Sequence, residues 1–128
     1  MPRTGWSIDA RREELLLACL CPVLYRQAVN RRPMKLEEHE CESLAASGQP
    51  WTEVHRWLDE FAGTPDLGMR HRRKRHHRQG IEEVRRRWGD AAAEAARQHI
   101  IADLKTEGWH ETDHFPIDEA DYVKMGLF

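Results

Sequence analysis

Residues 69–88 read Met69-Arg70-His71-Arg72-Arg73-Lys74-Arg75-His76-His77-Arg78-Gln79-Gly80-Ile81-Glu82-Glu83-Val84-Arg85-Arg86-Arg87-Trp88. Ile81, Val84 and Trp88 recur at the three-to-four spacing of an α-helix, and no period-2 alternation competes with them. The pattern predicts one helix, capped by Asp66 and running to Trp88, with Gly80 a mild interior weakness. At about 100° per residue, the apolar stripe extends backwards to His77 and then to Arg70, while His71 and His76 fall on the flanks. Arg72, Arg73, Arg75 and Arg78 fall on the outer faces. A core avoids His and Arg unless they are hydrogen-bonded or coordinated, so His77 is the sharpest candidate in this stretch.

The same helical reading extends in both directions from this segment. Upstream, Ser7 caps a helix carrying the apolar run Leu15–Leu20, which Pro22 ends or kinks. Val23–Val29 continues as a short helix before the Asn30–Pro33 break. Leu36–Ala46 forms the next, stopped by Ser47-Gly48, and Pro50 sits in the first turn of one running to about Ala62. Downstream, Gly89-Asp90 separates the basic helix from an Ala-rich one over Ala91–Thr106, and a last short helix follows Pro116 and Asp118. The expected fold is all-α: a single compact bundle of five to seven helices. Residues 1–128 form one domain by size, with 1–35 an N-terminal helical extension and 36–128 a His-rich helical core.

Charge is segregated although the net value is only -2. Residues 70–88 carry nine Lys/Arg against two Glu, and residues 89–128 carry three against nine Asp/Glu. Such polarity either steers an anionic partner to one face or pairs the chain's own segments. Cys19, Cys21 and Cys41 are too few for a disulfide framework, which points to buried apolar cysteines in a reducing cytoplasm. Leu15–Tyr25 is too short to span a bilayer and lacks a basic leader, so no membrane association is expected.

On the helix before the basic stretch, Val54, Leu58 and Phe61 point inward, with His55 and Asp59 one turn apart on a flank. On the Ala-rich helix, Ala93, Ala96, Ile100 and Leu104 point inward, with His99 and Asp103 again one turn apart. Imidazoles with carboxylates are the ligands that Zn, Fe, Mn and Ni sites in helical proteins use. His39, His55, His77 and His99 are therefore the candidate ligands of a divalent transition metal. Asp59 and Asp103 are candidate catalytic carboxylates that could hold a water for hydrolysis. The alternative is that these histidines are hydrogen-bonded structural residues holding helix ends together.

The order His39–Ser43–Gly48, His55-Arg56-Trp57-Leu58-Asp59, Arg70-His71-Arg72, His76-His77-x-x-Gly80-Ile81, His99-Ile100-Ile101-x-Asp103 and Pro116–Tyr122 resembles an uncharacterised family of small bacterial helical proteins. The resemblance covers residues 39–122, and the first 35 residues fall outside it. It implies a shared helical fold and a polar cluster built from these residues, and it implies no activity. Arg73, Lys74, Arg75 and Arg78 are heavier in charge than that pattern.

Three functions follow as expectations. The leading one is a small cytosolic protein with an internal His/Asp cluster that binds a divalent metal, with metal-dependent hydrolysis as its extension. The second is a nucleic-acid-binding accessory protein using Arg72, Arg73, Arg75 and Arg78 for phosphates; no stacking aromatics interleave with these arginines. The third is an interaction module whose Leu15–Tyr25 face docks a protein partner or a second copy.

Overall fold

The structure is a computed structural model and describes residues 35–128. The Leu15–Tyr25 face, Cys19 and Cys21 lie outside the described residues. The chain divides into two compact units, residues 1–52 and 53–128. Among the described residues every regular element is helical, the all-α architecture that the periodicity predicts.

In the first unit, helix α1 (Leu36–Ser47) buries His39, Glu40, Cys41, Ser43 and Leu44. Its end follows from Gly48, which adopts the left-handed conformation (φ 81°) and donates its N–H to the Leu44 carbonyl. The Thr52 hydroxyl donates to the Glu40 carboxylate. Cys41 is buried beside Leu44.

In the second unit, the chain leaves α2 (Thr52–Leu58) through successive turns rather than continuing to Ala62. A 3₁₀ segment follows over Gly68–Lys74, then α3 (Arg78–Trp88), α4 (Asp90–Thr106) and α5 (Glu119–Lys124). The single basic helix expected over 66–88 is thus two elements with a break at Arg75–His77. His77 is extended (φ -157°, ψ 176°) and caps α3. The first two α3 amides, of Arg78 and Gln79, donate to the Pro116 and Ile117 carbonyls. Gly80 explains how the break fits: a Cβ there would collide with the Arg75 carbonyl oxygen. Gly80 is therefore a close-approach glycine at the corner, not a weak point inside a helix.

α3 packs on α4, as the two stripes demand. Ile81 and Val84 are buried on one side, and Ala92, Ala93, Ala96, Ile100 and Leu104 on the other. The alanines let the two backbones come close, and each buried Ile, Val or Leu contributes about 1.5–3 kcal/mol. α5 packs on the 3₁₀ segment and buries Tyr122 completely. Its Asp118 cap accepts from the Asp121 amide. The framework brings α2, the 3₁₀ segment and α4 together around the polar residues they carry.

Candidate metal centre

His55 and Asp59 are one helical turn apart at the end of α2, and His99 and Asp103 are one turn apart in the middle of α4. Each pair therefore shares a face. Both faces turn inward in the fold: His55, His99 and Asp103 are buried. Between them sit His71 and His76, supplied by the 3₁₀ segment and the break that follows it. His76 is completely buried. The break that removes His77 from the core stripe is what turns His76 into it.

Three imidazoles present Nε2 to the two carboxylates. His76 Nε2 lies 2.9 Å from Asp103 Oδ2 and 3.4 Å from Asp59 Oδ1. His99 Nε2 lies 3.2 Å from Asp103 Oδ2 and 3.4 Å from Asp59 Oδ2. His71 Nε2 lies 3.5 Å from Asp59 Oδ1. One ligand atom each from Asp59, His99 and Asp103 falls within 4.8 Å of the others. Donors bonded to a common ion at about 2.1 Å are separated by about 3.4 Å in a tetrahedral shell and about 3.0 Å in an octahedral one. The observed spacings span that range. The Asp59 Oδ1 atom is buried and makes no close hydrogen bond, its nearest donors being the His76 and His71 Nε2 atoms at 3.4 and 3.5 Å.

Tautomers sharpen the arrangement. His71 Nδ1 lies 2.9 Å from the Gly68 carbonyl; a carbonyl only accepts, so this nitrogen carries a proton. His71 Nε2 then faces the Asp59 carboxylate either as an imidazolium or as a bare lone pair opposite a carboxylate, which a cation between them would reconcile. His99 Nδ1 meets His55 Nδ1 at 2.8 Å, so one donates and the other accepts. With His99 as the donor, its Nε2 is left to the carboxylates and His55 fixes the ring. A ligand imidazole anchored through its other nitrogen is the usual arrangement around a metal.

Electrostatics follow the same lines. Burial would push the Asp59 carboxyl up, but contacts from His71, His76 and His99 outweigh it and hold it far below the usual carboxylate range. Burial would lower His99, yet Asp103 and then Asp59 lift it to about 9. The contact with Asp59 is the leading cause that raises His71. Arg72, 2% exposed, approaches Asp103 Oδ1 at 3.4 Å and Glu107 Oε2 at 2.7 Å.

His77, the residue the stripe singled out, is not among these ligands. Its Nδ1 accepts from the Gly80 amide and its Nε2–H donates to the Lys74 carbonyl, so no lone pair is left for a metal. Burial holds its pKa down, in keeping with a neutral cap. His77→Ala is expected to cost about 1 kcal/mol of stability and to leave metal affinity as it is. Urea unfolding and metal titration of the variant check both halves. His39 is buried on α1 of the first unit.

His71, His76 and Arg72 join this buried cluster, which helical phase alone did not show because it assumed one unbroken helix. Gly80, four residues past His76, was the available signal. The arginines assigned to phosphates are largely used internally. Arg72 is buried. Arg73 donates to the Phe128 carbonyl. Arg75 donates to the Trp57 carbonyl, pairs with Glu60 and stacks 4.0 Å over the Trp57 ring. Arg78 is exposed, while Arg85, Arg86 and Arg87 pair with Glu82, Glu83 or Asp90. The basic stretch is thus answered mostly by the chain's own acidic residues. Among the described residues no helix is long and apolar enough to cross a membrane. Comparison of this chain with family models, curated proteins and solved structures finds no match.

Proposed function

We propose that this protein binds one divalent transition metal through His71, His76, His99, Asp59 and Asp103, and that the bound ion serves a hydrolytic reaction. The observation that carries the reading is the buried cluster in which one ligand atom each from Asp59, His99 and Asp103 falls within 4.8 Å of the others, with the His71 and His76 Nε2 atoms 2.9–3.5 Å from the same carboxylates. Nitrogen and carboxylate donors without thiolate favour Zn, Fe, Mn or Ni over soft ions such as Cu(I). His55 acts by orienting His99 instead of ligating through Nδ1.

Access supports a reactive role over a sealed one. The His76, His99 and Asp103 side chains are 0–3% exposed, whereas Asp59 is 26% exposed. A catalytic site keeps one side open to water or substrate, and a structural site closes it. The ion, when bound, would supply the charge that makes water a nucleophile near neutral pH. Asp59, the more exposed of the two carboxylates, would orient that water by a hydrogen bond, while buried Asp103 would remain a fixed ligand.

Metal analysis of the purified protein, repeated after chelation and reloading, tests the reading. About one equivalent of a first-row divalent metal per chain is expected, removed by chelator and restored by Zn, Mn or Fe(II). A protein that neither carries nor takes up metal overturns it. Hydrolysis of activated ester and phosphoester substrates, present with metal and absent with chelator, tests the catalytic half.

A further inference from the structure

Behind Asp103 lies a second buried polar chain whose members do not face the metal centre. The Arg72 guanidinium donates through Nη1 to the Asp103 carbonyl (3.1 Å), the Thr106 hydroxyl (3.1 Å) and Glu107 Oε2 (2.7 Å). Its Nη2 approaches Asp103 Oδ1 at 3.4 Å. The two oxygens of Asp103 are thereby divided: Oδ1 faces Arg72, and Oδ2 faces His76 and His99. Glu107 is divided too. Its Oε2 also accepts from the Tyr122 hydroxyl at 2.8 Å, and its Oε1 accepts from the Phe128 amide at 3.1 Å. The Glu107 side chain is 3% exposed and Tyr122 is 0% exposed, so no solvent stands in for a lost partner.

We propose that Tyr122 and Glu107 are positioning residues for the ligand Asp103, acting through Arg72, so that docking of α5 and occupancy of the metal centre are coupled. This rests on the metal reading above. The physical reason is geometric. Arg72 can hold the Asp103 carboxylate at one rotation only while its own guanidinium plane is held, and the Glu107 carboxylate, its ionic partner besides Asp103, holds it together with the Asp103 carbonyl and the Thr106 hydroxyl. Glu107 in turn owes its orientation to two donors from the C-terminal segment, the Tyr122 hydroxyl and the Phe128 amide. The 3₁₀ segment that carries Arg72 also carries His71 and is the element on which α5 packs. Loss of the α5 contacts therefore loosens two sides of the site together. Coupling of this kind is reciprocal: what α5 does for metal affinity, metal must do for α5.

Titration of the full-length, metal-free protein with Co(II) against a competing chelator tests the proposal. The readouts are affinity, the d–d absorption spectrum of the bound ion and the thermal midpoint of the metal-free protein. Tyr122→Phe keeps the ring and removes only the hydroxyl. It is expected to weaken Co(II) binding about tenfold, the lower end of what outer partners of ligands contribute, and to shift the d–d band. Hydrogen exchange of residues 119–128 is expected to slow when Co(II) is added to the parent. A Tyr122→Phe protein with affinity within about twofold of the parent and the same spectrum overturns the coupling, even if its thermal midpoint falls. If Tyr122→Phe does not fold, Glu107→Gln is read the same way and decides it. A parent that takes up no Co(II) overturns the metal reading itself and this inference with it.

Discussion

His99→Ala is expected to abolish stoichiometric metal binding, with a loss of at least about a hundredfold, beyond the roughly 10–100-fold that an outer partner contributes. His99 lies between both carboxylates, at 3.2 Å from Asp103 and 3.4 Å from Asp59, so its removal opens the shell on two sides. His55→Ala should weaken binding less, because His55 acts through His99. Isothermal titration of the three proteins checks the order, and a His99→Ala protein that still binds one equivalent sinks the assignment. pH gives a second handle. In the metal-free protein the His99 pKa is raised from 6.5 to about 9. Its contribution to stability is therefore fully present below about 6.5 and is lost as pH rises through 9. Asp59 is depressed from 3.8, so its contribution is present above that value and lost as pH falls below it. The chelated protein should be most stable between about pH 4 and 6.5, and should lose a few kcal/mol by pH 9. Metal affinity should run the other way and rise towards pH 9, because the metal displaces the proton. Unfolding curves at pH 6 and 9, with and without metal, separate the two trends. A chelated protein equally stable at both values contradicts the charged His99–carboxylate contact.

Arg72→Ala is the largest expected loss of stability, about 3–5 kcal/mol. It leaves Asp103 and Glu107 buried without their shared cation, and it also empties the space of a long side chain that is 2% exposed. Arg72→Lys should recover only part of the loss, since an ammonium cannot span Asp103, Thr106 and Glu107 with a planar fork. Urea denaturation measures both. A cost for Arg72→Ala below about 1 kcal/mol would show that the pair adds little to the fold, contrary to its burial. The same variant answers the older question raised by the basic stretch: an arginine that contacted phosphate would cost nucleic-acid affinity and little stability, which is the opposite of what burial predicts.

Much of the site was visible in the sequence, and the reason is helical geometry. His55 with Asp59, and His99 with Asp103, are each four residues apart, so either pair shares a face wherever the helix is placed. The Ala93–Ala96–Ile100–Leu104 stripe likewise set which side of α4 would be covered, and all four are buried. That both flanks would face inward was not decided by either helix, because it depends on what packs beside them.

The segment 69–78 failed for a specific reason. Phase can be extended along a helix only while the helix continues, and here it stops at Lys74 and restarts at Arg78. An error of one residue in phase rotates a side chain by about 100°. His77 accordingly moved from the core stripe to a cap, while His76 moved from a flank into the centre of the cluster. The charge pattern carried the competing clue. A basic segment flanked by acidic ones can answer itself, and Arg72 with Asp103 and Glu107, Arg75 with Glu60 and Lys74 with Glu119 do so.

By itself the sequence determined that the chain is helical, where α1, α4 and α5 lie, and which His–Asp pairs share a face, since these follow from local periodicity, caps and i,i+4 geometry. Tertiary structure alone decided that His71 and His76 join those pairs, that Arg72 is buried behind them and that His77 is excluded. Those outcomes turn on the Arg75–His77 corner. That corner exists because Gly80 admits the Arg75 carbonyl and because Pro116 and Ile117, some forty residues on, accept the first amides of α3. No local pattern records a contact made at that distance.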